Sequence, residues 1–149
     1  MQVADFLRQS HQKLVTCLPD DTLQVVANAM YAHGIGAMPV CEAGTRMVGI
    51  ISERDLVRVF ARSDLSELQY LRARDVMTSR VMTCRPHDSM QAAQEIMRAQ
   101  HFRHLPVVDG GRVIGMLSLR DTLALRLRES EDEMNVLRDV VAATRHQNP

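Results

Sequence analysis

Gly49-Ile50-Ile51-Ser52-Glu53-Arg54-Asp55 recurs as Gly115-Met116-Leu117-Ser118-Leu119-Arg120-Asp121, and this doubled stretch decides the fold. The match continues outward from it. Upstream, Pro39-Val40 meets Pro106-Val107, Met30 meets Met97, Asp21 meets Asp88, and Thr16-Cys17-Leu18-Pro19 meets Thr83-Cys84-Arg85-Pro86. The offset is 67 residues before Gly44–Thr45 and 66 after, so one residue drops out there. A unit this short does not bury its apolar face alone, so the two copies are expected to pack on each other. Any cleft between them then occurs twice, about an approximate two-fold axis, which suits ligand binding.

Each copy reads strand, helix, strand, strand, helix. Leu14–Cys17 is a short apolar strand, and Pro19-Asp20-Asp21 turns the chain into a helix carrying Leu23, Val26, Met30 and His33 at helical spacing. Met90, Ala93 and Met97 repeat that pattern. Asp21 and Asp88 are the expected N-caps and Gly34 the C-terminal stop. Ala37–Cys41 and Met47–Ile51, like Leu105–Val108 and Val113–Leu117, are continuously apolar, as in strands covered on both faces. Asp109-Gly110-Gly111 is a strong hairpin signal.

Outside the copies, Ser63–Arg74 holds Leu65, Leu68 and Leu71 at helical spacing without Gly or Pro and reads as one short helix. Leu127, Met134, Leu137 and Val141 form a stripe, broken by Ser130, whose apolar face needs a partner. Val3, Phe6 and Leu7 are a shorter version of it. The expected division is an N-terminal helix at 1–12, a first repeat at 13–62, a connection at 63–75, a second repeat at 76–128 and a helical extension at 129–149.

Composition narrows the function. The 149 residues suffice for one domain, and the odd count of three cysteines argues against a secreted disulfide framework. Cys17 and Cys84 hold equivalent strand positions, where buried thiols are the plain expectation. No signal peptide and no membrane span is read, so the expected location is the cytoplasm. Zero net charge and 3% aromatic residues remove the footprint of a nucleic-acid binder. Lys13 is the sole lysine; arginine, the better phosphate fork, makes up the rest of the basic side chains.

The two Ser-x-Arg-Asp stretches carry the chemistry. They can be read as capping boxes, with serine as N-cap and the acid reaching back to its N–H. The same geometry also serves a ligand. A helix N-terminus offers free N–H groups to a phosphate, a first-turn carboxylate can accept from a ribose diol, and Gly49 or Gly115 would allow close backbone approach. His101 and His104 could be read as a metal pair, but phosphate-facing or exposed histidines are favoured. No nucleophile elbow or Walker loop is present, and no catalysis is expected.

Gly-apolar-apolar-Ser-x-Arg-Asp, doubled, with Met38-Pro39-Val40 and Leu105-Pro106-Val107 before it, resembles a pair of CBS domains, the cystathionine β-synthase modules that occur in tandem as a Bateman module. The resemblance spans about Leu14 to Leu127. It implies an α/β (α+β) fold of two β-α-β-β-α repeats in pseudo-two-fold pairing, flanked by N- and C-terminal helices. It also implies frequent homodimers and regulatory binding of adenosine-containing ligands: AMP, ADP, ATP, NAD or S-adenosylmethionine. In one implied cleft, Asp121 holds the ribose, with Ser118, Arg120, Arg103 and His104 near ribose and phosphate, and Leu18, Leu23, Ile35 and Gly36 around the base. In the other, Asp55, Ser52 and Arg54 take those roles, joined by Arg85, Met90 and Phe102. There the counterparts of Arg103 and His104 are Gly36 and Ala37, which removes two phosphate partners. The expected function is a regulatory module for an adenosyl ligand, acting on an unidentified protein; the alternative is a structural dimerisation module without nucleotide.

Overall fold

Two β-hairpins, each covered by helices, form one four-stranded antiparallel sheet of order β1-β2-β4-β3. The computed structural model describes residues 1–145. The first hairpin is β1 (Ala37–Glu42) and β2 (Arg46–Ser52), the second β3 (His104–Asp109) and β4 (Arg112–Ser118). The second closes on Gly110 and Gly111, at φ 57° and 78°, the left-handed conformations a two-residue hairpin demands. The first closes on Ala43-Gly44-Thr45, one residue more, which is where the repeat loses its register. Each first strand carries an irregularity at the same place, Val40/Cys41 and Val107/Val108.

The hairpins meet where Arg46 pairs with Arg112, and Val113 N–H donates to the Thr45 carbonyl at 2.9 Å. Arg46 and Arg112 are equivalent positions. Equivalent residues opposed in an antiparallel pair are what a local two-fold axis requires.

The expected strand Leu14–Cys17 is reduced to one parallel bridge, Cys17 to Val40, matched by Cys84 to Val107. Cys17 N–H donates to the Pro39 carbonyl and Cys41 N–H to the Cys17 carbonyl. The next rung back would need an N–H at residue 39, which proline lacks. Pro106 imposes the same limit on the second copy.

Helix α2 (Leu23–His33) follows the first bridge and α6 (Met90–Gln100) the second. Their N-caps are Thr22 and Ser89, whose hydroxyls accept from Val25 and Ala92 N–H, not Asp21 and Asp88. The aspartates close the preceding turn instead, accepting from Leu18 and Arg85 N–H at 2.8 and 2.7 Å. Gly34 ends α2 at φ 61°, as expected, and His101 takes the same left-handed place after α6.

Helix α3 (Glu53–Arg62) follows β2. The connection forms two short helices rather than one, α4 (Leu65–Leu68) and α5 (Ala73–Val76). They are split where extended Arg72 bridges to Thr22. After β4 a single helix, α7 (Leu119–Arg145), runs through Ser130 without a break. The last four residues of the expected 129–149 extension lie outside the described residues.

Each copy builds its own core rather than sharing one. Cys17, Val26, Met30, Met38, Val40, Ile51 and Ala73 form the first. Cys84, Met90, Ala93, Met97, Leu105, Val107 and Leu117 form the second, and it takes in Val3 and Phe6 of α1 (Val3–Ser10). So α1, which precedes the first repeat, completes the second. Val3 and Ala4 N–H donate to the Asp88 and Pro86 carbonyls, as Ala73 and Arg74 N–H donate to those of Asp21 and Pro19. Burial of the thiols pushes Cys17 up to about 12 and Cys41 and Cys84 up to about 11, so all three stay protonated within the cores.

Candidate functional site

The strand-to-helix junctions that carry the two Ser-x-Arg-Asp stretches are anchored alike. Glu53 N–H donates to the Gly36 carbonyl at 2.9 Å, and its counterpart Leu119 N–H to the Arg103 carbonyl at 2.8 Å. Each bond holds a helix N-terminus beside the residue that leads into β1 or β3.

The two carboxylates then diverge. Asp55 closes on its own helix: Oδ2 accepts from Ser52 N–H at 2.8 Å and from Ser52 Oγ at 2.9 Å, and Oδ1 from Arg58 at 3.2 Å. This is a complete capping box. At the second junction only half of it forms. Asp121 N–H donates to Ser118 Oγ at 3.1 Å, while Asp121 Oδ2 accepts from Gln12 Nε2 at 2.9 Å.

Around Asp121 the two repeats converge. The His104 ring is half-buried, and a Cβ placed on Gly36 would lie 3.4 Å from its Cε1 and 3.0 Å from Glu53 Oε1. Burial lowers the His104 pKa from its ordinary value; the Glu53 and Asp121 carboxylates oppose that shift and the Arg103 guanidinium adds to it. Gly36, His104, Ser118 and Asp121 are thus brought together. Leu23 and Ile35 pack against the first core, while Leu18 and Arg120 are exposed.

The second set divides differently. Arg54, Met90 and Phe102 line a groove of about 970 Å³ between α6 and α7, and Arg103 lines it with them. Arg98 and Arg126 join from the helices, over a floor that includes Met97, Leu119 and Leu125. Among the described residues Arg54, Arg103 and Arg126 form no ion pair, whereas Arg98 sits 4.0 Å from Glu95. Arg85 is exposed beyond the groove. His101 faces the groove and His104 the Asp121 cleft, so the two histidines serve different places.

Gly49 and Gly115 serve packing rather than ligand approach. A Cβ on Gly49 would stand 2.5 Å from Met77 Sδ, and one on Gly115 would stand 2.7 Å from Leu7 Cδ1. Sequence reasoning also missed Glu53, although it lies inside the doubled heptapeptide, and Gln12, which no local pattern marks.

A sheet of two equivalent hairpins with paired Ser-x-Arg-Asp junctions defines a tandem-repeat module. The chain belongs to the CBS-domain family, whose model matches residues 3–62 and 73–128, each stretch opening on one of the equivalent helices α1 and α5. A CBS-domain containing protein from Agrobacterium tumefaciens, known as a crystal structure, is 34% identical with a TM-score of 0.77, over 85% of this chain and 99% of that one. YhcV of Bacillus subtilis, a CBS domain-containing protein, is 28% identical over 137 residues, 91% of each chain. CBSX2 of Arabidopsis thaliana, crystallised in complex with AMP, is 25% identical with a TM-score of 0.72, over 87% of this chain and 98% of that one. The chain spans 34%, 22% and 60% of the length of three other curated relatives, the second an inosine-5'-monophosphate dehydrogenase.

Proposed function

We propose that this chain is a regulatory module that binds an adenosine-containing ligand between its repeats and signals occupancy through its shape or its affinity for a partner, without catalysing a reaction. The observation that carries this reading is the groove that Arg54 of the first repeat and Arg103 of the second line together with Phe102 and Leu119. An aromatic base and a phosphate need apolar and basic surfaces side by side. The AMP complex of CBSX2 supports the adenosyl part of the reading. Of the two carboxylates Asp121, which accepts from Gln12 and not from its own helix cap, is the better ribose acceptor, and it lies in the His104 cleft beside this groove rather than in its lining. The buried thiols suit a reducing compartment, and we place the protein in the cytoplasm. The α7 stripe is read as a homodimer surface.

Thermal unfolding with AMP, ADP, ATP, NAD and S-adenosylmethionine tests the reading. A ligand at ~100 times its Kd stabilises by about 2.7 kcal/mol. At about 2–4 °C per kcal/mol for a chain of this size, Tm rises by several degrees. No shift with any of the five at millimolar concentration overturns it. The structural alternative draws on the closed Ser52–Asp55 box, which leaves the first junction explained by capping alone.

A further inference from the structure

Two equivalent connections link the repeats, and they are held in different ways. Each leaves a helix docked on one repeat and enters the other: Val3 to Cys17 in one case, Ala73 to Cys84 in the other. The first is three residues longer, 14 steps against 11. After α5 the chain is fixed by main chain, since Thr78 and Ile50 exchange both hydrogen bonds at 2.9 and 3.0 Å. No such exchange follows α1 among the described residues. The helix runs on to Ser10, His11 turns left-handed at φ 49°, and Gln12 donates its amide to Asp121 Oδ2. The carboxylate so engaged is the one whose capping box is incomplete.

We propose that Gln12 is an internal competitor for the Asp121 carboxylate, and that ligand hydroxyls displace its amide and free residues 11–16 from the second repeat. The inference rests on the adenosyl reading above and adds its regulation. A neutral amide on a carboxylate at an exposed site is a bond that a ribose hydroxyl can replace one for one. Displacement loosens the connection that leads to α1, which itself stays docked through Val3 and Phe6. Occupancy of the cleft is thereby reported as mobility of a segment at the surface. The Asp55 side has no counterpart, because Asp55 is closed on Ser52 and the α5 connection is stitched by main chain.

Calorimetric titration of the wild type and Gln12→Ala with AMP, ADP, ATP, NAD and S-adenosylmethionine, paired with backbone order parameters from nuclear magnetic resonance relaxation over residues 11–16, tests this. Removing the competitor is expected to tighten the bound ligand about three- to tenfold. In the wild type the same ligand is expected to lower the order parameters of residues 11–16. If ligand binds but Gln12→Ala leaves its affinity unchanged, the competition is absent. If Gln12→Ala weakens binding, Gln12 is a ligand contact. Unaltered order parameters in residues 11–16 likewise overturn the displacement. If neither protein binds any of the five, the adenosyl reading falls and the inference with it.

Discussion

Leu7 lies against Gly115 so closely that a Cβ there would stand 2.7 Å from both of its methyl carbons. Met77 occupies the same place over Gly49 in the other repeat. The two glycines are therefore the sockets through which each repeat receives a helix from outside its own β-α-β-β-α stretch.

Alanine substitutions at three glycines should rank by what the new methyl meets. In Gly49→Ala it meets Met77 and, at 2.9 Å, the Thr78 backbone carbonyl, which is tied to Ile50 and cannot yield. A cost of about 1–3 kcal/mol is expected in urea unfolding. Gly115→Ala should cost less, because it meets only the movable end of Leu7. Gly36→Ala should cost least, since Glu53 can swing away. Equal costs at Gly49 and Gly36 would remove the socket argument.

Asp55→Ala and Asp121→Ala should separate stability from binding. The first opens a complete capping box and is expected to lower unfolding free energy by about 1 kcal/mol, with little effect on ligand affinity. The second breaks only the Gln12 bond in the unliganded protein. It should leave stability nearly intact and weaken an adenosyl ligand by about 1.5–3 kcal/mol, the range for a hydrogen bond to a charged group. Denaturant melts and calorimetry on the same pair decide; the reverse pattern would reassign the ribose acceptor.

Stability should fall at mildly acid pH because of His104. Its folded pKa lies below its ordinary, unfolded value, so between the two the unfolded chain binds more protons. Unfolding free energy then rises with pH across that window, is complete above about 6.5, and is lost as pH falls toward the folded pKa. Urea melts at pH 7.5 and 5.5 should show a larger loss for the wild type than for His104→Asn. Identical losses would mean that the imidazole charges as freely as in water.

Helix α7 exposes Leu127, Met134, Leu137 and Val141 at 51–62% of their surface. A stripe this long on one helix is expected to be covered by a second copy. Light scattering should report a dimer, and Leu137→Glu a monomer with unchanged circular dichroism. A wild-type monomer at tens of micromolar would refute the assignment.

The doubled heptapeptide made both hairpins, the helix starts at Ser52 and Ser118, and the stop at Gly34 legible, because all are local patterns of turn chemistry and apolar spacing. Local rules stopped short where neighbours compete for one role. Asp21 and Thr22 both suit an N-cap, and the carboxylate closes the preceding turn, leaving the cap to the hydroxyl. The strand foreseen at Leu14–Cys17 shrank to one bridge because Pro39, on the partner strand, lacks the next N–H.

Only the tertiary structure decided which carboxylate closes its own capping box and which bonds elsewhere. Ser52–Asp55 and Ser118–Asp121 share their residue types and spacing, so sequence alone determined that both can cap a helix. That Asp121 bonds Gln12, 109 residues away on a connection three residues longer than its counterpart, is written in neither motif. Likewise the sequence determined that Val3, Phe6 and Leu7 form an apolar face, whereas the choice of the second repeat as its partner follows from the sockets at Asp88 and Gly115. Periodicity records which face a segment must bury; the partner is set by shape and by main-chain groups that folding alone brings within reach.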